Sequence, residues 1–298
     1  MARRSLRHQL AAMLLSAVVF SSIAPASETP KERTPARPNA QMPFVPSEQL
    51  VYEGEFSKLL LRGIKIAELR FKASHAPAPP AAPAEGDAAA APTQFLLTSD
   101  VESKGWFRKL FGINFRFHVE TMVGADSFNV LKTTKLDEQG KRVRESEALF
   151  DYEGKRVEWT ERDPNNAGQA PRVVTAALEG PTQDIVSAIY FLRTLPLAPG
   201  HTFDLAISDS GRIYRVPGRV VAEKKKMKSV VGKVSVVRLD VDLFGEGRPL
   251  EGKGKMSLWV TNDDRRIPIK ARLSHEMGQL DINLKSIERQ PVQTAAAQ

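Results

Sequence analysis

The stretch NFRFHVETMVG, Asn114–Gly124, decides the fold class of this chain. Apolar residues and one threonine fall at every second position from Phe115 to Val123, with arginine, histidine and glutamate between them. Successive side chains of a strand point to opposite faces, so this period of two predicts a β-strand with one buried face. Similar stretches, separated by turn residues, recur from Gln49 to Glu288. We therefore expect a mainly β protein, an antiparallel meander that forms a curved sheet or a partly closed barrel.

One of these stretches breaks the alternation. In IKIAELRFKAS, Ile64–Ser74, the apolar residues keep to one face only if the phase slips once. A slip of this kind is typical of a β-bulge, in which two residues of one strand face a single partner. The pattern predicts a bulge near Ala67.

The stretch QDIVSAIYFLRTLPLAPG, Gln183–Gly200, is the exception to the β pattern. Apolar residues at Ile185, Ile189 and Leu192 recur at helical spacing and form an apolar stripe. Three further apolar residues widen the stripe, which indicates burial on more than one side. The prediction is one short helix, near residues 184–195, packed as a plug on the open face or mouth of the sheet.

The same helix carries a polar set at intervals of three: Asp184, Ser187, Tyr190 and Arg193. Neighbours at this spacing touch, but the set winds about halfway round the helix and forms no compact site by itself. Nucleophilic or phosphate chemistry is one interpretation, although no histidine and no nucleophile-elbow glycines lie near Ser187. In the structural interpretation, Thr182 or Asp184 lies near the N-cap, Arg193 reaches a carboxylate on the sheet, and Pro196 ends the helix.

A second dense motif is LWVTNDDRRIPIK, Leu258–Lys270. Trp259 is expected in the core of a strand, and Pro268 opens the next strand or a sheet edge. Asp263 and Asp264 invite interpretation as a metal or acid–base site. Adjacent strand residues point to opposite faces, however, so the pair fits a turn better. An ion pair, Asp184–Arg266 or Arg193–Asp264, would explain these charges by clamping the helix to the sheet.

The third motif is KGWFRKLFGINF, Lys104–Phe115, which mixes aromatic and basic residues. As a short helix or loop it is amphipathic, which suits a membrane interface or the lip of a lipid pocket. The alternative is a strand connection folded over the end of the barrel. The residues predicted to contact a ligand or membrane are Trp106, Phe107, Arg108, Lys109 and Phe111.

Together the motifs resemble an exported bacterial family catalogued as domain of unknown function 3108. The resemblance rests on D-x-x-S-x-x-Y-x-x-R followed by LPLAPG, on LVYEGEFSKLLLRGIKIAELRF, and on W-x-x-x-D-x-x-R-x-P, whose residues are Trp259, Asp263, Arg266 and Pro268. It implies a periplasmic or surface protein of antiparallel strands with no established activity, so no catalytic residue is carried over. The architecture is similar to envelope lipoprotein carriers, in which a curved sheet with a helical lid holds acyl chains, although fold alone does not establish function.

The N-terminus has the features of a secretory signal. MARRSLRH is basic, QLAAMLLSAVVFSSIA is apolar and short, and Ala24–Ala26 has the small-x-small form of a cleavage site. We predict a signal peptide over residues 1–26 and an exported, periplasmic or outer-surface protein of a Gram-negative-type bacterium. A retained membrane anchor is the alternative. No later stretch is long enough to span a bilayer.

Composition divides the rest of the chain. A polar, proline-rich leader is expected to be disordered over residues 27–47, as is an Ala/Pro insert at 76–92. A single β domain is predicted over residues 48–289, followed by a tail at 290–298.

The absence of cysteine excludes a lipobox, disulfides and thiol catalysis. The histidines have no zinc-site spacing, and no glycine-rich phosphate loop precedes a helix, so no metal and no cofactor is predicted. The net charge is +8, of which the signal peptide contributes three arginines. EKKKMK, Glu223–Lys228, is expected to form a solvated turn or to contact anionic lipid. An exported protein without basic-aromatic platforms is not expected to bind nucleic acid.

These features favour a non-catalytic envelope protein that binds a lipid or other apolar small molecule between its curved sheet and its helix. The alternative is a structural or assembly factor that binds an envelope protein or a polysaccharide. A hydrolase using Ser187, Asp263 or Asp264 is a third hypothesis. Apolar and polar residues alternate along a strand in the same way around a cavity and around a filled core, so the sequence alone does not decide between these hypotheses.

Overall fold

The computed structural model describes residues 42–76, 94–105 and 114–289. Several predicted segments lie outside these residues and stay predictions: the signal peptide, leader residues 27–41, the insert at 77–92, residues 106–113 and the tail at 290–298.

In the described part of the chain, fifteen strands and one helix follow one another. They are β1 (Glu48–Lys58), β2 (Leu61–His75), β3 (Gln94–Ser103), β4 (Phe115–Gly124), β5 (Val130–Gln139), β6 (Arg142–Asp151), β7 (Arg156–Arg162), β8 (Arg172–Ala177), β9 (Thr182–Gln183), α1 (Ile185–Leu192), β10 (Thr202–Asp209), β11 (Arg212–Ser229), β12 (Gly232–Val241), β13 (Gly254–Thr261), β14 (Pro268–His275) and β15 (Gly278–Arg289). Nowhere in these residues does a helix reach the length and apolar character that crossing a bilayer requires.

All fifteen strands join one sheet in the order β8-β7-β6-β5-β4-β3-β2-β1-β15-β14-β13-β12-β11-β10-β9. Sequential neighbours pair antiparallel, except for the two-residue β9, which pairs parallel with β10. β1 pairs antiparallel with β15, which places the first and last strands in the middle of the sheet. The predicted antiparallel meander is therefore confirmed, as a curved sheet that stays open between its edge strands β8 and β9.

The two open ends nevertheless approach each other. The turn between β10 and β11 packs against β7 and β8, where a Cβ on Gly211 would lie 2.6 Å from the Cβ of Val174 and 3.4 Å from that of Trp159. Gly211 also has φ +78, a left-handed conformation that L side chains rarely adopt. Position 211 thus requires glycine for two reasons, its left-handed backbone conformation and its close contact with Val174.

Burial in the strands follows the alternation seen in the sequence. In β4, Phe115, Phe117 and Val123 are buried, whereas Arg116 and Glu120 are exposed. The predicted bulge also exists. Gly54 pairs with Ala67 and Glu55 with Lys65, so one residue of β2 is left over beside Ala67.

Helix α1 lies between two hydrophobic clusters, which confirms burial on more than one side. Val186 and Tyr190 pack into a cluster drawn mainly from β1–β7. Ala188 and Leu192 pack into a second cluster, drawn from β10–β14. The stripe proposed from helical spacing is partly wrong, because Ile185 is 41% exposed. Because the helix lies on the concave side of the curved sheet, its buried face is wider than the predicted stripe and is rotated away from Ile185.

Two segments differ from the sequence prediction, the end of the leader and the lysine-rich segment Glu223–Lys228. Residues 42–47 of the leader are packed: Phe44 is buried and contacts the rings of Phe95, Phe128 and Tyr190. An aromatic ring gains enough from burial to order the last residues of an otherwise polar leader. The lysine-rich segment expected to form a turn lies instead on β11, which continues to Ser229.

Candidate functional site

The chain enters α1 directly from β9, and Asp184 is the N-cap. Its backbone is extended, and its Oδ1 accepts a hydrogen bond from the backbone N–H of Ser187 at 2.7 Å. In return, Ser187 Oγ accepts from the backbone N–H of Asp184 at 2.9 Å. This reciprocal capping box satisfies two N–H groups that a helix start otherwise leaves without partners.

The second carboxylate oxygen of Asp184 bonds the helix to the sheet. Thr121 on β4 and Thr133 on β5 both donate their hydroxyl protons to Oδ2, Thr133 at 2.7 Å. The two threonines are paired across the strands, so their side chains share one face. Asp184 therefore ties the start of α1 to the middle of β4 and β5.

Arg193 ties down the other end of the helix. Its side chain is 0% exposed, and its Nη1 donates to Glu48 Oε1 on β1 at 2.6 Å. Nη2 donates to the backbone carbonyl of Pro43 at 2.7 Å and to that of Arg265 at 2.9 Å. The guanidinium also lies 5.6 Å from the centre of the Phe44 ring. One side chain thus joins α1 to β1, the packed leader and the β13–β14 turn.

The second sequence motif forms the socket for this end of the helix. Arg266 Nη1 donates to the backbone carbonyl of Arg193, the C-cap of α1, at 3.0 Å and to that of Leu195, just beyond the helix, at 2.7 Å. Asp263 Oδ1 accepts from the backbone N–H of Arg266 at 3.0 Å and from Thr261 Oγ1 at 2.6 Å. These bonds hold Arg266 at φ +46, a conformation that a non-glycine residue adopts only when its surroundings fix it.

The remaining residues of the motif are built into the sheet. Trp259 is buried on β13, as expected. Pro268 opens β14, and its carbonyl accepts from the Tyr52 hydroxyl at 2.7 Å. We refer to the eight motif residues, together with Glu48, Thr121 and Thr133, as the helix clamp.

The proposed ion pairs Asp184–Arg266 and Arg193–Asp264 do not form. Asp184 faces β4 and β5 at one end of α1, while Arg266 bonds backbone carbonyls at the other end. Asp264 is exposed, and the carboxylate that meets Arg193 is Glu48. The prediction that polar side chains hold the helix to the sheet is confirmed, and so is a sheet carboxylate for Arg193, but both predicted ion pairs are wrong. The sequence gives no local sign of the true pair, because Glu48 and Arg193 are 145 residues apart.

Thr121 and Thr133 are the other residues that sequence reasoning missed. Thr121 falls at an inward position of an otherwise apolar face and is completely buried. A buried hydroxyl needs a hydrogen-bond partner, so a lone threonine on such a face was the available signal for a polar group opposite.

Two members of the clamp lack a partner, because the Tyr190 hydroxyl and the Trp259 indole N–H are buried without a hydrogen bond in the described structure. Burial raises the pKa of Tyr190 well above its ordinary value, and burial does the same to the pKa of Tyr52. Both phenols are therefore neutral at physiological pH.

The carboxylate and hydroxyl groups at the start of α1 are already hydrogen-bonded within the protein. Ser187 is completely buried with its Oγ in the capping box, and both oxygens of Asp184 accept hydrogen bonds within the protein. Among the described residues, no group of three His, Asp or Glu side chains could hold a metal ion. Trp106, Phe107, Arg108, Lys109 and Phe111 lie outside the described residues, so their predicted contact with ligand or membrane stays a prediction.

Two cavities in the described part of the chain lie away from the clamp. One of about 20 Å³ is lined by Phe244, Leu250 and His275 among others. The other, of about 130 Å³, is polar and includes Arg144 and Glu161 in its wall. Neither wall contains a residue of α1.

A family model described as "Protein of unknown function (DUF3108)" matches residues 87–285, more than half of the chain, and the match includes α1 and both motifs. The chain belongs to this family. The DUF3108 match begins after β2, so β1, β2 and Glu48 lie before it, although the resemblance in the sequence includes the stretch LVYEGEFSKLLLRGIKIAELRF, which begins at Leu50.

One solved structure similar to this DUF3108 chain is a beta-barrel-like protein of Domain of Unknown Function DUF1849 from Brucella abortus. The two share 10% sequence identity with a TM-score of 0.49, over 83% of this chain and 99% of the other. No curated protein matches this chain by sequence.

Proposed function

We propose that this DUF3108 protein is an exported, non-catalytic component of the bacterial envelope that acts through its outer surface on a protein or polysaccharide partner. The helix clamp is the observation that carries the proposal. Asp184, Ser187 and Arg193 are buried, and all their side-chain polar atoms are hydrogen-bonded inside the protein. A motif built in this way stabilises the fold and offers no group to a substrate.

Export is supported by the sequence. A basic start, a short apolar run and a small-x-small site are the three parts of a secretory signal. The absence of cysteine agrees with a protein that needs no disulfides because its core is large.

The second candidate function is binding of a lipid or other apolar ligand under the helix. It is favoured by the position of α1, which lies against the apolar face of a curved, open sheet. A ligand of lipid size needs a cavity of several hundred Å³. The space beside α1 is occupied by Phe44, Phe128 and Tyr190, so a ligand would have to displace the helix and break the Arg193–Glu48 ion pair. This cost favours the surface-acting function.

Native mass spectrometry separates the two functions. The full chain, with its signal, is expressed in a Gram-negative host, and the tagged product is purified gently from the periplasmic fraction. The surface-acting function predicts a bare mass that begins near Ser27. An added mass of lipid size that disappears on delipidation would establish the carrier function instead, and a product retained in the cytoplasm would contradict export.

A further inference from the structure

The turn between β1 and β2 exposes three consecutive leucines. Leu59 is 86% exposed, Leu60 is 98% exposed and Leu61 is 37% exposed. Such a run of exposed apolar residues at one projecting point has no role in a core and marks an interaction site. We call residues 58–62 the leucine tip.

The backbone of the leucine tip makes leucine a poor choice for folding alone. Lys58 pairs with Leu61, so Leu59 and Leu60 are the two central residues of the hairpin connection. Leu59 has φ +50, in the left-handed region where asparagine and glycine are favoured in such turns. Leucine here is unfavourable both for the turn and for its exposure to water, so some gain outside the isolated fold must offset it.

The core does not need these side chains. A separate hydrophobic cluster at this end of the sheet is completed by Phe56, Ile66, Phe115, Phe117 and Leu280. Phe56 and Ile66, the nearest buried residues along β1 and β2, are 3% and 1% exposed. The leucine tip therefore projects beyond a core that is already closed.

Cations flank the leucines on both sides. Lys58 and Arg62 form no ion pair with any carboxylate of the described residues, whereas Lys65 pairs with Glu53. Glu53 and Glu68, the acids on the flanking strands, are both paired with Lys104. Glu55 also lies on β1, opposite Lys65. The end of the hairpin thus presents three apolar side chains within a positively charged collar.

The size and shape of the tip identify the partner. A stable protein interface needs roughly 800 Å² on each side, more than a projecting turn of three residues supplies. β15 pairs with β1 as far as Ser57, so on that side of the hairpin almost no sheet edge is offered to a peptide. A bilayer accepts a small apolar tip among its acyl chains, while flanking lysine and arginine remain at the level of the anionic head groups.

We propose that the leucine tip inserts Leu59, Leu60 and Leu61 into the surface of an anionic lipid bilayer, with Lys58 and Arg62 bound to lipid phosphates. The connection from β3 to β4 lies at this same end of the sheet, because β3 ends and β4 begins there. Residues 106–113 of this connection are not needed for the proposed contact with lipid. It is also independent of the proposed function, because binding to vesicles is measured on purified protein whatever its location in the cell.

Co-sedimentation with vesicles tests the proposal. Protein as processed by the host is mixed with vesicles of phosphatidylcholine alone, or of equal parts phosphatidylcholine and phosphatidylglycerol. We expect the wild-type protein to bind the anionic vesicles more tightly than the neutral ones. The double variant Leu59→Asn, Leu60→Gly should lose at least about tenfold in affinity for anionic vesicles. Asparagine tolerates the positive φ of residue 59, and glycine adopts any backbone conformation at residue 60, so the variant should fold.

Matched variants separate the contributions. Lys58→Gln with Arg62→Gln should weaken binding to anionic vesicles and leave binding to neutral ones unchanged. Val173→Asn changes an apolar residue that is 55% exposed on the edge strand β8 and should have no effect. If the double variant does not fold, Leu60→Ser replaces it, since Leu60 lies almost wholly in solvent. No binding of wild-type protein, or unchanged binding of the leucine variants, overturns the proposal. So does a concentration-dependent dimer that the leucine variants abolish, if vesicle binding is absent.

Discussion

Replacement of Arg193 by methionine should destabilise the protein strongly. The substitution removes a fully buried guanidinium and leaves the Glu48 carboxylate, which is 4% exposed, without its cation. It also leaves the carbonyls of Pro43 and Arg265 without their donor from this side chain. Loss of one partner of a buried ion pair costs about 3–5 kcal/mol. A typical domain has only about 5–15 kcal/mol of stability, so the variant would be marginal.

The measurement is urea unfolding followed by tryptophan fluorescence, with the free energy of unfolding extrapolated to water. Single variants Arg193→Met and Glu48→Met and the double variant complete a cycle. The double variant should lose about 2 kcal/mol less than the sum of the singles, because it leaves no unpaired buried charge. Arg116→Met is the control, since its pair with Glu102 is exposed and should contribute less than about 1 kcal/mol. Arg193→Met with a loss below about 1 kcal/mol would refute the clamp as a stabilising device.

Three further predictions concern single residues. Phe44→Ala should lower the free energy of unfolding by about 3 kcal/mol, because its buried ring contacts three others, and an unchanged midpoint in urea would mean that the leader is not packed. Tyr190→Phe should change stability by less than about 1 kcal/mol, since its hydroxyl has no described partner; a larger loss in thermal melts would reveal one. A hydrogen bond from Lys285 and the nearby Lys104 lower the pKa of Glu68 to about 2. The stabilisation from this carboxylate is therefore complete above the pKa of an unfolded glutamate and is lost as the pH falls through about 2. The difference in thermal midpoint between wild type and Glu68→Gln should shrink over this range, and a difference that stayed constant down to about pH 2 would contradict the assignment.

Much of the fold was predictable from the sequence because the signals are local. The alternation in β4, the slip beside Ala67 and the helical spacing after Gln183 each depend on the geometry of a few successive residues. Proline at position 268 also marked the start of a strand, since it lacks a backbone N–H. Each of these features depends only on the backbone geometry of neighbouring residues, so the sequence is enough to predict it.

The candidate site was predictable only in part. The spacing of Asp184 and Ser187 indicated a helix start, and the structure shows the full capping box there. The partners of Asp184 and Arg193 come from other strands, and no pattern within the helix encodes them. The exposure of the leucine tip could not be predicted either, because a run of three leucines in a β pattern is as compatible with a buried strand as with an exposed turn.

The sequence by itself determined most of the described strands, the helix that follows Gln183 and the residues of the two motifs. Only the tertiary structure decided that the motifs meet, that Glu48 is the carboxylate for Arg193 and that the space beside α1 is filled by aromatic rings. The physical reason is that side-chain direction along a strand follows from local backbone geometry. Which distant strands become neighbours depends instead on the pairing of β1 with β15, which brings residues more than 200 positions apart into one sheet.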